Sequence, residues 1–256
     1  MMGIFDFLTK TKDAKVAQNK QETKPYLGDL AKTHILDTLL QTPPQKRDET
    51  WKKSFLDNLS QASFRCGNPQ TIIGPDGFSY FQLFLPEPNK SFQCFVIENM
   101  KDDFLLSLGL GVVINPTSSG ADWVLTYGDI VHYHIHKVFY TDSTPFLDAK
   151  KSKTSPNEEV LVAQPSSSFL PNQAREVIAK FLKNRGVKHP KILLLTRWNE
   201  AKKEMTQELV FNLIPQNFAN KESYQHVMHS LGWYLPREYI FAGADENIFK
   251  NAFMPL

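Results

Sequence analysis

Two spacings of apolar residues run through this chain. Apolar positions recurring every three or four residues predict helices, and short apolar or alternating runs of four to eight residues predict strands. Leu27, Leu30, Ile35, Leu36, Leu39 and Leu40 predict a helix ending before Pro43-Pro44, and Trp51, Phe55, Leu56 and Leu59 a second one starting from Asp48. TIIG and FSYFQLFLP flank Pro75-Asp76-Gly77, where proline presets φ and glycine tolerates positive φ, so a β-hairpin is predicted. Both faces of FSYFQLFLP are largely apolar, which places that strand inside its sheet. FVIENMKDDFLLSLGLG predicts a helix stopping near Gly109, with GVVINP and WVLTY as strands after it.

From Val160 to Asp245 the order becomes strand, helix, strand, strand, helix, strand: VLVAQPS, PNQAREVIAKFLKNRG, KILLLTRW, ELVFNLIP, KESYQHVMHSLGWYLP and EYIFAGA. Pro171 suits a helix start and Gly186 a helix stop. This order predicts a split-βαβ (βαββαβ) sandwich, with two helices on one face of a four-stranded antiparallel sheet. The expected class is α+β, built as two α/β modules. Residues 1–24 are read as a flexible N-terminal segment, 25–140 as the first module, 141–158 as a linker and 159–256 as the second module with an apolar tail. The linker, TDSTPFLDAKKSKTSPNE, is polar and aperiodic and contains two prolines. The tail, ENIFKNAFMPL, carries Ile248, Phe249, Phe253, Met254 and Leu256. It is expected to pack as a short helix against the first module or a second copy. Asn115-Pro116 and Gln164-Pro165, each after a β-branched run, suggest that the two halves are distant structural relatives.

The Gln164-Pro165-Ser166 corner within VLVAQPSSSFLPNQAREVIAKFL, followed by the strand pair and the Trp-Tyr-Leu-Pro turn, resembles the C-terminal domain of the SseB (enhanced serine sensitivity) family. The resemblance covers roughly the last third of the chain. It implies a fold and brings no catalytic residues with it.

Composition narrows the function classes. With 256 residues, two modules are the default expectation. A formal net charge of +2 argues against a dedicated nucleic-acid binder, which usually carries a basic stripe. Lys150, Lys151 and Lys153 neutralise too few phosphates to change that and are read as solvated. Cys66 and Cys94 are read as free buried thiols. No apolar run approaches the roughly 20 residues that span a bilayer. The start, MMGIFDFLTKTK, lacks the long apolar core of a signal peptide, so the expected location is the cytoplasm. The Ile4, Phe5, Phe7, Leu8 cluster is too short for a membrane anchor and is read as folding back or fraying.

The one tempting cluster is His132, His134 and His136 in GDIVHYHIHKVF. As a strand, this segment would put all three imidazoles on one face. As a helix with Asp129 at its cap, it would stack His132 on His136 and turn His134 elsewhere. Gly128-Asp129 favours the helix, and the β-branched Ile130, Val131, Ile135 and Val138 favour the strand. Either arrangement could offer two metal ligands, but a site also needs a third ligand and supporting carboxylates to hold the rings. The expectation is half-buried histidines on an amphipathic element, with no stoichiometric metal and no cofactor. His226 and His229, three apart on the last helix, are read the same way. HExxH, CxxC, GxSxG, P-loop and dinucleotide signatures are missing, and Ser166 to Ser168 are read as turn and capping hydroxyls.

The function expected is therefore a non-enzymatic protein-interaction or regulatory protein of a bacterial cytoplasm, acting on a protein partner or a second copy of itself. Trp198, Phe211, Trp233, Tyr234, Phe249 and Phe253 are its candidate anchors. Two other classes compete. RNA-recognition domains use the same strand order, but ELVFNLIP supplies only Phe211 as a stacking platform. A metal-dependent enzyme would have to be built on His132, His134 and His136.

Overall fold

The computed structural model describes residues 27–140, 158–199, 204–249 and 252–256. The segment expected to be flexible at 1–24 and all but the last residue of the expected linker lie outside the described residues.

Helices α1 (Leu30–Leu40) and α2 (Glu49–Leu59) begin where short acceptors cap them. Asp29 accepts from the amides of Ala31 and Lys32, and Asp48 from that of Trp51. The predicted hairpin follows as β1 (Arg65–Ile73) and β2 (Ser79–Phe84), antiparallel. Helix α3 (Ile97–Met100) passes through a π turn, Lys101–Leu105, into α4 (Leu106–Leu108), and Gly109 stops it with a left-handed φ of 69°. Strand β3 (Gly111–Ile114) then pairs parallel with β2, and β4 (Trp123–Leu125) antiparallel with β3. The order β1-β2-β3-β4 puts β2 inside the sheet, as its two apolar faces require.

Residues Tyr127–His136 form helix α5, which decides between the two geometries for the histidines. Thr126 is the cap, and Asp129 sits at the third helical position, where the two close a reciprocal capping box. That box outweighs the β-branched residues.

The second module runs β5 (Glu158–Ala163), α6 (Asn172–Asn184), β6 (Lys191–Asn199), β7 (Glu204–Phe211), α7 (Lys221–Tyr234), β8 (Ile240–Gly243) and β9 (Met254–Pro255). The α+β class and the element order stand, with a correction to the sheet. Its order is β5-β6-β7-β8 and β7 runs parallel to β8, so it is mixed rather than wholly antiparallel. The cause is α7, which returns the chain to the end where β7 began, so that an adjacent strand has to run the same way.

Both helices cover one face of this sheet. Ile192, Leu194, Leu209 and Phe211 belong to one buried cluster with Ala174, Ile178 and Leu182 of α6 and Val227 and Leu231 of α7. Leu193, Leu195 and Val210, on the opposite face, are covered by Phe249 and Phe253. The described part of the apolar tail therefore packs on its own module rather than on the first. It does so as a 3-10 turn (Glu246–Phe249) and the short strand β9, not as the expected α-helix. β5 ends opposite Leu194, which leaves Lys191 and Ile192 free along that edge of β6, and β9 fills the place.

The modules share one continuous core. Trp233 of α7 donates its indole N–H to the Tyr80 hydroxyl at 2.8 Å and stacks on Phe78 with ring centroids 4.3 Å apart. Phe211 is fully buried and Trp233 nearly so, while Tyr234 packs edge-on against Trp233 and Phe78. Phe211, on the helix-covered face of β7, and Trp233 are core side chains and Tyr234 packs against that core, because α7 lies between its own sheet and the first module's Phe78 and Tyr80. No described helix is long and apolar enough to cross a membrane.

Candidate functional site at the module junction

The junction is organised around the first turn of α5. Asp129 is almost fully buried and receives a bidentate pair from Arg237, Nε to Oδ1 at 2.7 Å and Nη2 to Oδ2 at 3.0 Å. The guanidinium also lies 3.3 Å from the centroid of the Tyr140 ring. Burial, reinforced by the Asp129 charge, pushes the Tyr140 phenol up to about 12. Tyr239 donates its hydroxyl to the carbonyl of Phe169. The segment 236–239 is thus pinned on both sides of Glu238.

Helical spacing then brings His132 and His136 to the same place. Glu238 Oε1 lies 2.6 Å from His132 Nδ1 and 3.7 Å from His136 Nε2, and the two imidazole centroids are 4.5 Å apart. Burial would push the Glu238 carboxyl up, but the hydrogen bond to His132 holds it below the usual carboxylate range. Its other oxygen, Oε2, is shielded from solvent and meets no side-chain donor among the described residues. His132 is largely buried, whereas the side chain of His136 is 46% exposed, so the group opens to solvent on one side. Among the described residues this is the one set of three His, Cys, Asp or Glu side chains close enough to hold an ion.

No known protein family, curated protein or solved structure matches this chain.

Of the three histidines singled out in the sequence, the structure brings two together and sends the third elsewhere. His134 contacts Asp102 at 3.0 Å, beside a separate charged group built on the π turn. The side chain of Lys101 is only 2% exposed there, and its ammonium donates to Glu98 Oε1 at 2.8 Å and Asp102 Oδ2 at 2.7 Å. Tyr133 donates its hydroxyl to the second Glu98 oxygen. Burial would raise both carboxyls, but their bonds to Lys101 hold them below the usual range. Each therefore contributes stability that is complete above the unfolded carboxylate values of about 4 and is lost as pH falls through the folded values. The denaturant midpoint should accordingly fall more steeply below about pH 5, down through the folded carboxyl values, in the wild type than in Lys101→Met. Parallel acid limbs for the two proteins would contradict this assignment.

His226 and His229 are both exposed on α7 and belong to no such group. Ser166 and Ser168 bond each other at 2.8 Å, and the amide of Phe169 donates to Ser166, so these hydroxyls do organise a turn. Arg175, buried in α6, holds the same corner by donating to the carbonyls of Leu170 and Pro165. Cys66 and Cys94 are free but only half-buried.

Sequence reasoning missed Glu238 and the Asp129–Arg237 pair. Their partners lie 106 and 108 residues apart, and no spacing rule links a helix to a loop at that distance.

A second surface is formed at the far end of the second sheet. Among the described residues β5 is bonded to β6 on one side only. Leu161 (66%), Met205 (62%) and Trp198 (38%) are exposed. Leu161 lies opposite Thr196, and Trp198 opposite Met205, so the period of two puts all three on one face. Val160 and Val162 are exposed on the other face of β5. Of the expected anchors, Trp198 is part of this surface, while Phe249 and Phe253 are half-buried over the tail-covered face.

Proposed function

We propose that this chain is a non-enzymatic protein-interaction protein whose contact surface is the open β5 edge. A single observation carries the proposal: Val160, Leu161 and Val162 are exposed along a strand edge that has no partner among the described residues, beside exposed Trp198 and Met205. Such an edge offers unpaired N–H and C=O groups to another strand, and natural sheets usually blunt it with charge, proline or a bulge. EEVLVA has its charges only at the first two positions.

The occupant that fits is a second copy. In an antiparallel pair centred on Leu161, Val160 faces Val162, Glu159 faces Ala163 and Glu158 faces Gln164, so no like charges are opposed. The similarity to the enhanced serine sensitivity family, suggested by the Gln164-Pro165-Ser166 corner, belongs to this proposal, as does a place in a bacterial cytoplasm. Phe211 is fully buried, which removes the stacking residue that the RNA-binding alternative relied on.

Sedimentation tests the edge directly. The wild type should associate reversibly, and Leu161→Lys should weaken that association about tenfold or more, since a pair centred on position 161 would set two lysines face to face in an apolar contact, at a cost well over 1.4 kcal/mol. A wild type that stays monomeric at hundred-micromolar concentration, an order at which weak dimers are populated, would rule out the second copy as occupant. So would a Leu161→Lys protein that associates undiminished.

A further inference from the structure

We propose that His132, His136 and Glu238 form a binding site for one late first-row divalent transition-metal ion, such as Zn2+, with at least one coordination position open to water. The proposal is independent of the β5 edge and reverses the expectation from the sequence, because the third ligand comes from the other module.

Donor chemistry comes first. Two neutral imidazoles and a carboxylate suit zinc, iron, nickel or copper, whereas magnesium and calcium prefer all-oxygen sets. The number of ligands is that of an exchangeable site. Closed structural zinc sites have four protein ligands, and sites with three keep a position for water or another ligand. The exposed flank of His136 is where that position opens.

The distances fit. Two ligand atoms about 2.1 Å from a zinc ion at the tetrahedral angle lie about 3.4 Å apart. The two contacts to Glu238 Oε1, at 2.6 and 3.7 Å, bracket that value. An ion needs His132 and Glu238 to part by less than about 1 Å and His136 to close by a few tenths, within the reach of side-chain rotation.

Two further observations point to an ion rather than to a simple hydrogen-bonded pair. Glu238 Oε2 is screened from solvent and meets no side-chain donor among the described residues, which leaves it room to accept further coordination. The supports are also rigid. Glu238 sits between Arg237, locked on Asp129, and Tyr239, locked on Phe169, while both histidines project from one helix. Fixing ligands through such outer partners is how metal sites hold their geometry. Because α5 belongs to the first module and Glu238 to the second, a bound ion would join the two.

The test uses the full chain without a histidine tag. Equilibrium dialysis should find one Zn2+ per chain, Co2+ should give the visible absorption of a four- or five-coordinate ion, and Zn2+ should raise the melting temperature. His136→Ala and Glu238→Gln should each weaken Zn2+ binding at least about 10- to 100-fold, the loss already seen when outer partners are removed. Both should also abolish the thermal shift. His134→Ala, which alters a histidine outside the group, should bind like the wild type. His136 is nearly half exposed, so its loss should leave the fold intact, and the metal-free melting curves check this. The proposal is overturned if the wild type binds no Zn2+ below millimolar concentration. It also fails if His134→Ala weakens binding as much as the other two, or if a folded Glu238→Gln protein binds undiminished.

Discussion

Replacing Arg237 by Met is expected to lower the melting temperature by about 6–12 °C. Two bonds to a nearly fully buried Asp129 are lost, together with the contact over Tyr140. Removing one partner of a buried pair costs about 3–5 kcal/mol, because the remaining charge keeps its desolvation penalty. The lower value applies here. Arg237 is partly exposed, and Asp129 still accepts from the Thr126 amide. A chain of this length shifts by about 2–4 °C per kcal/mol. Asp129→Asn keeps an acceptor for the cap and removes the charge. The double variant should therefore lose much less than the sum of the two single losses. Additive losses, or a shift under about 2 °C for Arg237→Met, would mean that the pair does not hold the junction.

A second large effect is expected at Gly128, with a sign opposite to that of helix propensity. Gly128 lies in the first turn of α5, where exchanging glycine for alanine ordinarily stabilises a helix by up to about 1 kcal/mol. Here an added Cβ would lie 2.0 Å from the carbonyl oxygen of Leu235 and 2.5 Å from its carbonyl carbon. Those are backbone atoms just past the end of α7 and cannot rotate away as a flexible side chain would. Overpacking of this kind costs about 1–3 kcal/mol or more, which exceeds the propensity gain. Calorimetry on Gly128→Ala should show a lower melting temperature by several degrees, and a protein more stable than the wild type would contradict the close approach.

What could be read in advance was local. Asp48, Gly109 and Gly186 mark helix ends through a side-chain acceptor or left-handed backbone, and these signals need only their own neighbourhood. The alternation in FSYFQLFLP placed β2 inside its sheet for the same reason. Strand direction was not legible. Whether β8 runs with or against β7 depends on where α7 docks, and α7 docks through Trp233 on Phe78 and Tyr80 of the other module. The aromatics of α7 could not be sorted into core and surface for the same cause. Within the candidate site, the helical spacing of His132 and His136 was visible, but Glu238 became a neighbour only through the Arg237 clamp. The two halves share an order of elements that the corners did not indicate. Both contain helix, hairpin, helix and a strand parallel to the hairpin's second strand. The Asn115-Pro116 and Gln164-Pro165 corners, however, follow β3 and β5, which hold different places in that order.

The two parallel pairings also have a meaning in time. β1 and β2, like β6 and β7, are neighbours in sequence, and an antiparallel pair can form across a short turn. β3 and β8 reach their parallel partners only after a helical crossover, and the entropy of closing the longer loop must be met before those contacts form. In a newly made chain the hairpins therefore come first, each with its second strand unpaired on one side. Until α3–α4 and α7 swing over, the apolar strands β2 and β7 are the places where a nascent chain is open to mispairing.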